Sequence, residues 1–316
     1  RQQQVLDFDS RVPFKLDLRR AEVVLPSQDD SVQVDVNTRN FNLAIVNDFV
    51  DRTMIRRISG RINGSVSLDG TIGDLNPDGS LKLSDASMRI VPAGITLSDI
   101  ESNASFSEDG INLESFSMES GPGRVRASGT VALDNLTPGE LDLSIRGIQF
   151  LAVNTQDYNA IIDLESEISG TIDNPRLRGD LTFLNGFVFL QNFGEQAVED
   201  VDLDEDGSDD EMDFYENLDI EASVSFTRQF FIRNRQYLDL EVEMEGEVDV
   251  LKQPGGELEM FGLLEGVEGY ARPLGKNFEI DNATVTFSGQ VDNPELDIRT
   301  VYEPPQGRTD VRIFYI

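Results

Sequence analysis

The chain has 316 residues, with 26 Lys or Arg against 59 Asp or Glu, so its formal net charge at pH 7 is −33. A chain this acidic repels phosphate groups, which argues against nucleic acid as a partner and against tight docking on an anionic bilayer surface. Cys, His and Trp are absent, which excludes thiolate metal sites, thiol nucleophiles and a histidine general base. We therefore expect a protein that is not an enzyme, and paired carboxylates on a β-scaffold are a weak alternative because no tryptophan platform for sugar is present.

The two ends suggest a segment of a longer protein. The first residue is Arg1, and neither an initiator Met nor a signal-peptide core follows. The last residues, from Val311 onward, alternate like a strand that has not finished. No apolar run approaches the roughly 18 residues that a membrane-spanning helix needs, so we expect any membrane anchor to lie outside this chain.

Residues 1–198 are predicted to form a repetitive series of β-strands. Apolar and polar residues alternate with a period of two, as from Ile62 to Ile72 and from Ile162 to Ile172, which indicates strands with one buried and one wet face. Glycine recurs on the apolar side, as at Gly64 and Gly129, and this favours bending of the sheet or close approach of a neighbouring backbone, with simple bulges as the alternative.

One segment differs from this pattern. From residue 41 to residue 57 and just beyond, the pattern of apolar residues has the three-to-four spacing of one short amphipathic helix, with Val46, Phe49, Val50, Ile55 and Ile58 on its apolar side. A single helix cannot cover the apolar face of some fourteen to sixteen strands, so that face must be covered by the sheet itself, by a partner or by a ligand.

A hairpin motif is repeated along the chain. The sequence from Gly170 to Leu177 recurs almost residue for residue from Gly289 to Leu296, and looser copies begin at Gly70, Gly129 and Gly246. Each copy contains a proline, and we interpret it as the residue that stops the ladder between two antiparallel strands. Five such hairpins predict a meandering, solenoid-like antiparallel sheet.

Residues 199–216 form an acidic loop between the two strand-rich parts. Asp202, Asp204, Asp206 and Asp210 have the spacing of oxygen ligands in a calcium loop, although position twelve is Asp213 and no helix pair flanks the segment. A solvated excursion without metal is the alternative, and we expect no other cofactor.

Residues 217–316 return to strict alternation, and we predict that the apolar sides of all the strands together line one groove. The candidate lining residues are Ile62, Val66, Leu68, Val125, Val131, Leu133, Leu164, Ile168, Ile172, Leu181, Phe183, Val224, Phe226, Leu240, Val242, Met244, Val248, Leu258, Met260, Phe278, Ile280, Val285, Phe287, Val291, Leu296 and Ile298.

The stretch from Gly262 to Tyr302 resembles the C-terminal portion of TamB-like proteins of the AsmA superfamily. The resemblance is carried, in order, by the sequences from Val267 to Tyr270, Gly275 to Ile280, Ala283 to Gly289 and Asn293 to Ile298. Upstream, residues 60–70 and 170–179 resemble the repeated hairpins of the same family. The acidic loop and the very negative total charge depart from the family pattern.

The resemblance implies a β-taco, which is a long sheet bent into a U around an apolar lumen. It also implies a periplasmic segment of an inner-membrane-anchored envelope protein that moves phospholipid between membranes, with a further role in outer-membrane protein assembly. The implied partners are phospholipid acyl chains and, near the C-terminal end, an outer-membrane barrel of the TamA type. A structural or adhesive β-solenoid with a closed core and a calcium loop remains the alternative.

Overall fold

The computed structural model describes residues 5–13, 15–17, 22–24, 27–189, 215–235, 239–291, 293–302 and 311–315. Its strands are β1 (Val5–Arg11), β2 (Lys15–Asp17), β3 (Glu22–Val24), β4 (Ser31–Asn42), β5 (Ile55–Thr71), β6 (Asp74–Ile90), β7 (Ile95–Ser107), β8 (Gly110–Ser120), β9 (Gly123–Asp134), β10 (Thr137–Asn154), β11 (Tyr158–Thr171), β12 (Asn174–Phe189), β13 (Asp219–Asn234), β14 (Leu240–Lys252), β15 (Leu258–Ala271), β16 (Phe278–Gln290), β17 (Glu295–Tyr302) and β18 (Val311–Tyr315).

Sixteen of these strands form one sheet, in the order β1, β4 and then β5 to β18 in sequence, while β2 and β3 pair only with each other. The all-β prediction and the predicted number of strands are confirmed. Two short 3-10 helices, Leu43–Asp48 and Pro273–Gly275, interrupt the strands. Among the described residues no helix has the length and hydropathy needed to cross a bilayer.

The amphipathic helix predicted over residues 41–57 is wrong. Strand β4 continues to Asn42 and β5 already begins at Ile55, which leaves room only for the six-residue 3-10 helix. The Asn42 side chain caps this helix by accepting a hydrogen bond from the backbone of Ala44. Phe49, which directly follows the helix, is 84% exposed, and no residue of the helix itself is fully buried.

Hairpins place the turns of the main sheet on two long rims. Rim A contains the turns β5–β6, β7–β8, β9–β10, β11–β12, β14–β15 and β16–β17, and rim B contains the turns β4–β5, β6–β7, β8–β9, β10–β11, β13–β14 and β15–β16. The strands that these turns join therefore run from one rim to the other.

The prediction of a wholly antiparallel sheet is wrong at one position, because β12 and β13 are parallel. Parallel neighbours need a crossover of a dozen or more residues, and 29 residues separate Phe189, the end of β12, from Asp219, the start of β13. Lys252, which is only 2% exposed, lies where this crossover rejoins the sheet. Its Nζ donates hydrogen bonds to the backbone oxygens of Glu216 at 2.9 Å and Leu218 at 3.3 Å.

The interpretation of proline as the residue that ends each strand holds for Pro254 and Pro294, which lie between strands, but is wrong for Pro77, Pro138 and Pro175, which lie inside paired strands. The turn itself lies at residues 172–173, and Pro175 pairs with Gly170 inside the ladder of β11 and β12. The pairing of β12 with β13 begins only at Arg176, so the missing N–H of Pro175 removes no ladder bond. Pro77 likewise lies before the onset of the next pairing, which for β6 and β7 begins at Gly79.

The sheet bends at a set of mid-strand β-bulges. Six non-glycine residues with positive φ angles lie at register shifts, and each of them is on the rim B side of its strand's midpoint: Asn40, Arg57, Asp85, Asp99, Gln149 and Gln229. A bulge kinks a strand and increases its twist. The fold is thus a curved, taco-like sheet whose bend lies nearer to rim B.

Side chains of neighbouring strands satisfy the backbone groups that three bulges remove from the ladder. The N–H of Gln149 donates to Asp163 Oδ1 at 2.6 Å, and the N–H of Gln229 donates to Glu243 Oε1 at 2.8 Å. The N–H of Asn40 donates to Asn63 Oδ1 at 2.8 Å. Acidic and amide groups on the outer face therefore stabilise the bend.

The glycines on the apolar face allow close approach of the neighbouring backbone. A Cβ at Gly64 would lie 2.1 Å from the Ser80 carbonyl oxygen, and one at Gly129 would lie 2.0 Å from the Asp142 carbonyl oxygen. Both glycines also have positive φ, at 140° and 146°. These positions require glycine for both reasons.

Candidate functional site

Strand register aligns the inner-face residues into rows that run along the long axis of the sheet. Residues paired directly across neighbouring strands point to the same face. One row crosses eight strands, from β10 to β17, through Phe150, Ile162, Phe183, Phe226, Gly246, Leu264, Val285 and Leu296. The apolar sides of successive strands therefore form one continuous surface.

A second row extends this surface towards the start of the chain. It crosses nine strands through Met118, Val125, Gly147, Leu164, Leu181, Val224, Val248, Gly262 and Phe287. The parallel pair β12–β13 does not interrupt either row, because Leu181 pairs with Val224 and Phe183 pairs with Phe226. The inner face therefore continues without interruption across the parallel strands β12 and β13.

The inner face of β12–β16 is filled by its own side chains. Phe183 stacks on Phe226 with ring centroids 4.7 Å apart, and Phe230 packs against both rings at 5.4 and 4.9 Å. Met244 and Val248 in the same cluster are only 2% and 1% exposed. We call this region the packed half.

The inner face of β4–β10 instead contains a cleft of about 380 Å³ near rim A. Its lining is almost wholly apolar: Val34, Val36, Val66, Leu68, Pro77, Phe106, Ile111, Leu133, Leu136 and Pro138. At the β1 end of this face Leu6 and Phe8 are 56% and 66% exposed, although Phe8 pairs with Val36 of the cleft. We call this region the open half.

The total accessible surface shows how little of the chain is enclosed. It is 21339 Å², whereas a compact globular protein of 35.2 kDa has about 13,000 Å². Large apolar side chains remain accessible on the inner side of the bend. Such a surface is typical of a site that takes a partner or a ligand.

Most of the predicted lining residues lie in inner-face rows, in the two buried clusters or in the cleft. The members of the clusters are Val125, Leu164, Leu181, Phe183, Val224, Phe226, Leu240, Val242, Met244, Val248, Met260, Ile280, Val285 and Phe287. The members in the cleft are Val66, Leu68 and Leu133. Those paired with other apolar residues across the sheet are Ile62, Val131, Ile168, Phe278 and Ile298. Leu258 pairs with the buried Lys252.

Three predicted lining residues are exposed. Ile172 and Val291 lie in turns of rim A and are 41% and 38% exposed, so they do not belong to the inner-face rows. Leu296 pairs with Val285 in an inner row but is 42% exposed near the same rim. The alternation of apolar and polar residues continues into these turns, so it does not show where a strand ends. This explains why the pattern places Ile172 and Val291 in the groove lining.

Sequence reasoning missed several residues of the inner face. Phe150 and Phe230 are 7% and 6% exposed and follow the bulges at Gln149 and Gln229. A bulge shifts the alternation by one position, so these residues fall out of phase with the earlier part of their strands. Val34 and Val36 of the cleft do alternate within β4, and that signal could have identified them.

The two rims differ in charge. We define the residues of a rim as those of its turns together with three strand residues on either side of each turn. On rim A the basic residues are Arg176 and Lys252. The acidic residues of rim A are Asp69, Asp74, Glu108, Asp109, Asp134, Asp173, Glu257, Glu259, Glu295 and Asp297. By the same definition the basic residues of rim B are Arg52, Arg56, Arg57, Arg89, Arg124, Arg233, Arg235, Arg272 and Lys276. Its acidic residues are Asp48, Asp51, Glu119, Asp157, Asp239, Glu241 and Glu279. Both comparisons cover only described residues.

Ion pairs follow the same division. On rim B Arg233 pairs with Glu241 at 2.8 Å and stacks over the rings of Phe187 and Phe231, and Arg272 pairs with Asp239 at 3.3 Å. On the described part of rim A, most of the carboxylates have no ion pair with Lys or Arg. Rim A is therefore strongly negative, whereas rim B is close to neutral.

The proposed calcium ligands Asp202, Asp204, Asp206 and Asp210 lie outside the described residues. Within the part that is described, no group of three or more acidic residues is placed to hold a metal ion. The calcium hypothesis and the three-part division of the chain stay predictions.

A curved sheet with an accessible apolar inner face is the architecture of a protein that binds its ligand in an open groove. The sequence profile of the TamB C-terminal domain matches residues 114–315, which is more than half of the chain, and the chain belongs to this family. This confirms the resemblance seen in the sequence. The family comprises envelope proteins of translocation and assembly or of lipid transport. No curated protein matches the chain.

Proposed function

We propose that the chain is a non-enzymatic segment of a lipid-transfer conduit in the periplasm, and that its groove shields phospholipid acyl chains between the inner and outer membranes. The supporting observation is the continuous apolar inner face with its cleft in the open half. An outer-membrane barrel of the TamA type, met near the C-terminal end, is the proposed protein partner, and support of outer-membrane protein assembly is a further part of the proposal.

The dimensions suit this function. Sixteen strands at about 4.8 Å spacing give a groove about 70 Å long, which exceeds the roughly 15 Å of one leaflet's hydrocarbon. Exposing a sixteen-carbon tail to water costs about 12 kcal/mol, at roughly 0.8 kcal/mol per methylene. A continuous apolar wall removes most of this cost, because a tail moves from one row to the next without entering water.

The headgroup needs no binding pocket of its own in this mechanism. It stays in water at the seam between rim A and rim B while the tails contact the inner face. The absence of histidine and cysteine in the sequence does not impede such a passive activity.

The packed half favours a second candidate, a structural β-solenoid with a closed core. There Phe183, Phe226 and Phe230 occupy the concave side in the way that core residues do. This alternative predicts that the purified chain binds no lipid.

The decisive measurement is native mass spectrometry of the chain after incubation with phospholipid vesicles. We expect bound phospholipid in the unaltered chain and a loss of at least half of it in Leu68→Glu and in Leu133→Glu, because both residues line the cleft. The matched controls are Ser65→Glu and Ala132→Glu, which add the same charge at exposed positions on the opposite face of the same strands.

Two results would contradict the proposal. One is an unaltered chain that carries no phospholipid under any loading condition. The other is equal loss of lipid in the cleft variants and in their outward-facing controls, since that would assign the effect to charge or folding and not to the groove.

A further inference from the structure

The charge difference between the rims bears on which lipid the groove takes. The cleft of the open half opens near rim A, where Leu68 and Leu133 line it and the next residues, Asp69 and Asp134, lie on the outer face of the same edge. Asp74 is the first residue of β6, and Asp109 lies in the β7–β8 turn. Among the described residues these four carboxylates form no ion pair, and Arg11, which lies in the same surface pocket as Asp69 and Asp74, donates to Gln33 instead.

We infer that the preferred occupant is a phospholipid with an amine-bearing, zwitterionic headgroup of the phosphatidylethanolamine class, and that lipids with a net negative headgroup are disfavoured. This inference rests on the proposed function. It adds a basis for headgroup choice, which the apolar wall alone does not provide.

The argument is one of charge complementarity. A headgroup over the cleft lies beside the negative rim A. The ammonium group of a zwitterion is attracted to the carboxylates of this rim, and this attraction offsets the repulsion of its phosphate. A phosphatidylglycerol headgroup has the phosphate but no ammonium, so the carboxylates of rim A repel it without compensation.

Screening sets the conditions under which the preference is visible. Exposed charges interact over a Debye length of about 10 Å at 0.1 M salt, and over about 4 Å at 0.5 M. Neighbouring hairpins of rim A are two strands apart, or about 10 Å, so several carboxylates act on one headgroup at low salt. The preference therefore weakens as salt is added.

The test is a competition between two lipids with identical tails. The chain is incubated with vesicles of equimolar palmitoyl-oleoyl phosphatidylethanolamine and phosphatidylglycerol, isolated again, and its bound lipid is quantified by mass spectrometry. At about 20 mM salt we expect an enrichment of phosphatidylethanolamine of about fivefold over the vesicle ratio, falling below about twofold at 0.5 M salt.

Two variants with the same change in net charge separate rim A from the total charge. The rim variant combines Asp69→Asn, Asp74→Asn, Asp109→Asn and Asp134→Asn, and we expect it to lose the enrichment while it binds the same amount of lipid. The control variant combines Glu114→Gln, Glu165→Gln, Glu167→Gln and Glu265→Gln, which are exposed positions away from the turns of rim A. It should keep the enrichment.

The outcomes distinguish the inference from the function on which it rests. If lipid binds at the vesicle ratio, or if the control variant loses the enrichment as much as the rim variant does, the headgroup inference is overturned while the groove remains. If no lipid binds at all, the proposed function itself fails.

Discussion

The open half and the packed half share one alternating pattern but fill their concave sides differently. In the packed half three phenylalanines meet across β12 and β13, and Met244 is almost fully enclosed. In the open half the smaller Val34, Val36 and Val66 occupy the corresponding side and leave a cleft. The rings fill the concave side of the packed half, whereas in the open half Val125 and Phe150 are buried nearer to rim B and the side near rim A stays open. We therefore expect lipid capacity to be concentrated in the cleft of β4–β10 near rim A.

We expect the largest difference in stability between the two halves when a carboxylate is placed in each of them. Met244→Glu buries a charge that has no partner in a closely packed cluster, and we expect a loss of about 4 kcal/mol or more in the free energy of unfolding. Leu68→Glu lies in a cleft that solvent can enter, so it should cost less than about 2 kcal/mol. Urea denaturation followed by far-UV circular dichroism measures both, and equal losses would contradict the division into two halves.

A second test asks whether the open half is rigid although it is not filled. Gly129→Ala places a Cβ against the Asp142 carbonyl oxygen at a φ of 146°, and we expect a loss of about 3 kcal/mol. Gly139→Ala is the control, because its nearest neighbour, the Ala132 carbonyl oxygen, lies at an ordinary 3.6 Å. Similar unfolding midpoints for the two variants would show that the backbone of the open half adapts freely.

A third test concerns the bend where the two halves meet. Asp163→Ala removes the acceptor for the Gln149 N–H at the bulge of β10, and we expect a loss of about 1 to 2 kcal/mol. Glu165→Ala, two residues further along β11 and exposed, should change stability by less than about 0.5 kcal/mol. Hydrogen exchange of the residues around Gln149 should increase only in the first variant, and an unchanged rate there would count against the role of Asp163.

The smallest expected effect lies in the β4–β5 loop of the open half. The Thr53 hydroxyl and the Thr53 backbone N–H donate to Asp51, and together with Arg56 they lower the pKa of this carboxyl below its ordinary 3.8. These interactions favour the folded loop above that pH and are lost as the pH falls through the lowered pKa. NMR titration should show a midpoint below 3.8 that rises in Thr53→Ala, and an unchanged midpoint would refute the assignment.

Much of the fold could be predicted because one signal recurs in every strand. Alternation gave the all-β class and the number of strands, and it gave most of the inner-face rows, such as the one through Leu164 and Val224. Alternation could not predict that Phe150 and Phe230 face inward, because the bulges that precede them depend on the positive φ of Gln149 and Gln229. Glutamine has no preference for positive φ, so the sequence does not indicate these bulges. It also could not give the parallel pair, because pairing partners across a 29-residue connection are a property of the whole sheet.

The parallel pair has a consequence for the sidedness of the molecule. In an uninterrupted meander each strand would start at the rim where its predecessor ended, so the β14–β15 and β16–β17 turns would fall on rim B. The crossover returns the chain to rim A before β13 begins, and so Glu257, Glu259, Glu295 and Asp297 join the same rim as Asp69 and Asp134. A single reversal of strand polarity thus keeps most of the acidic turns along one lip of the groove.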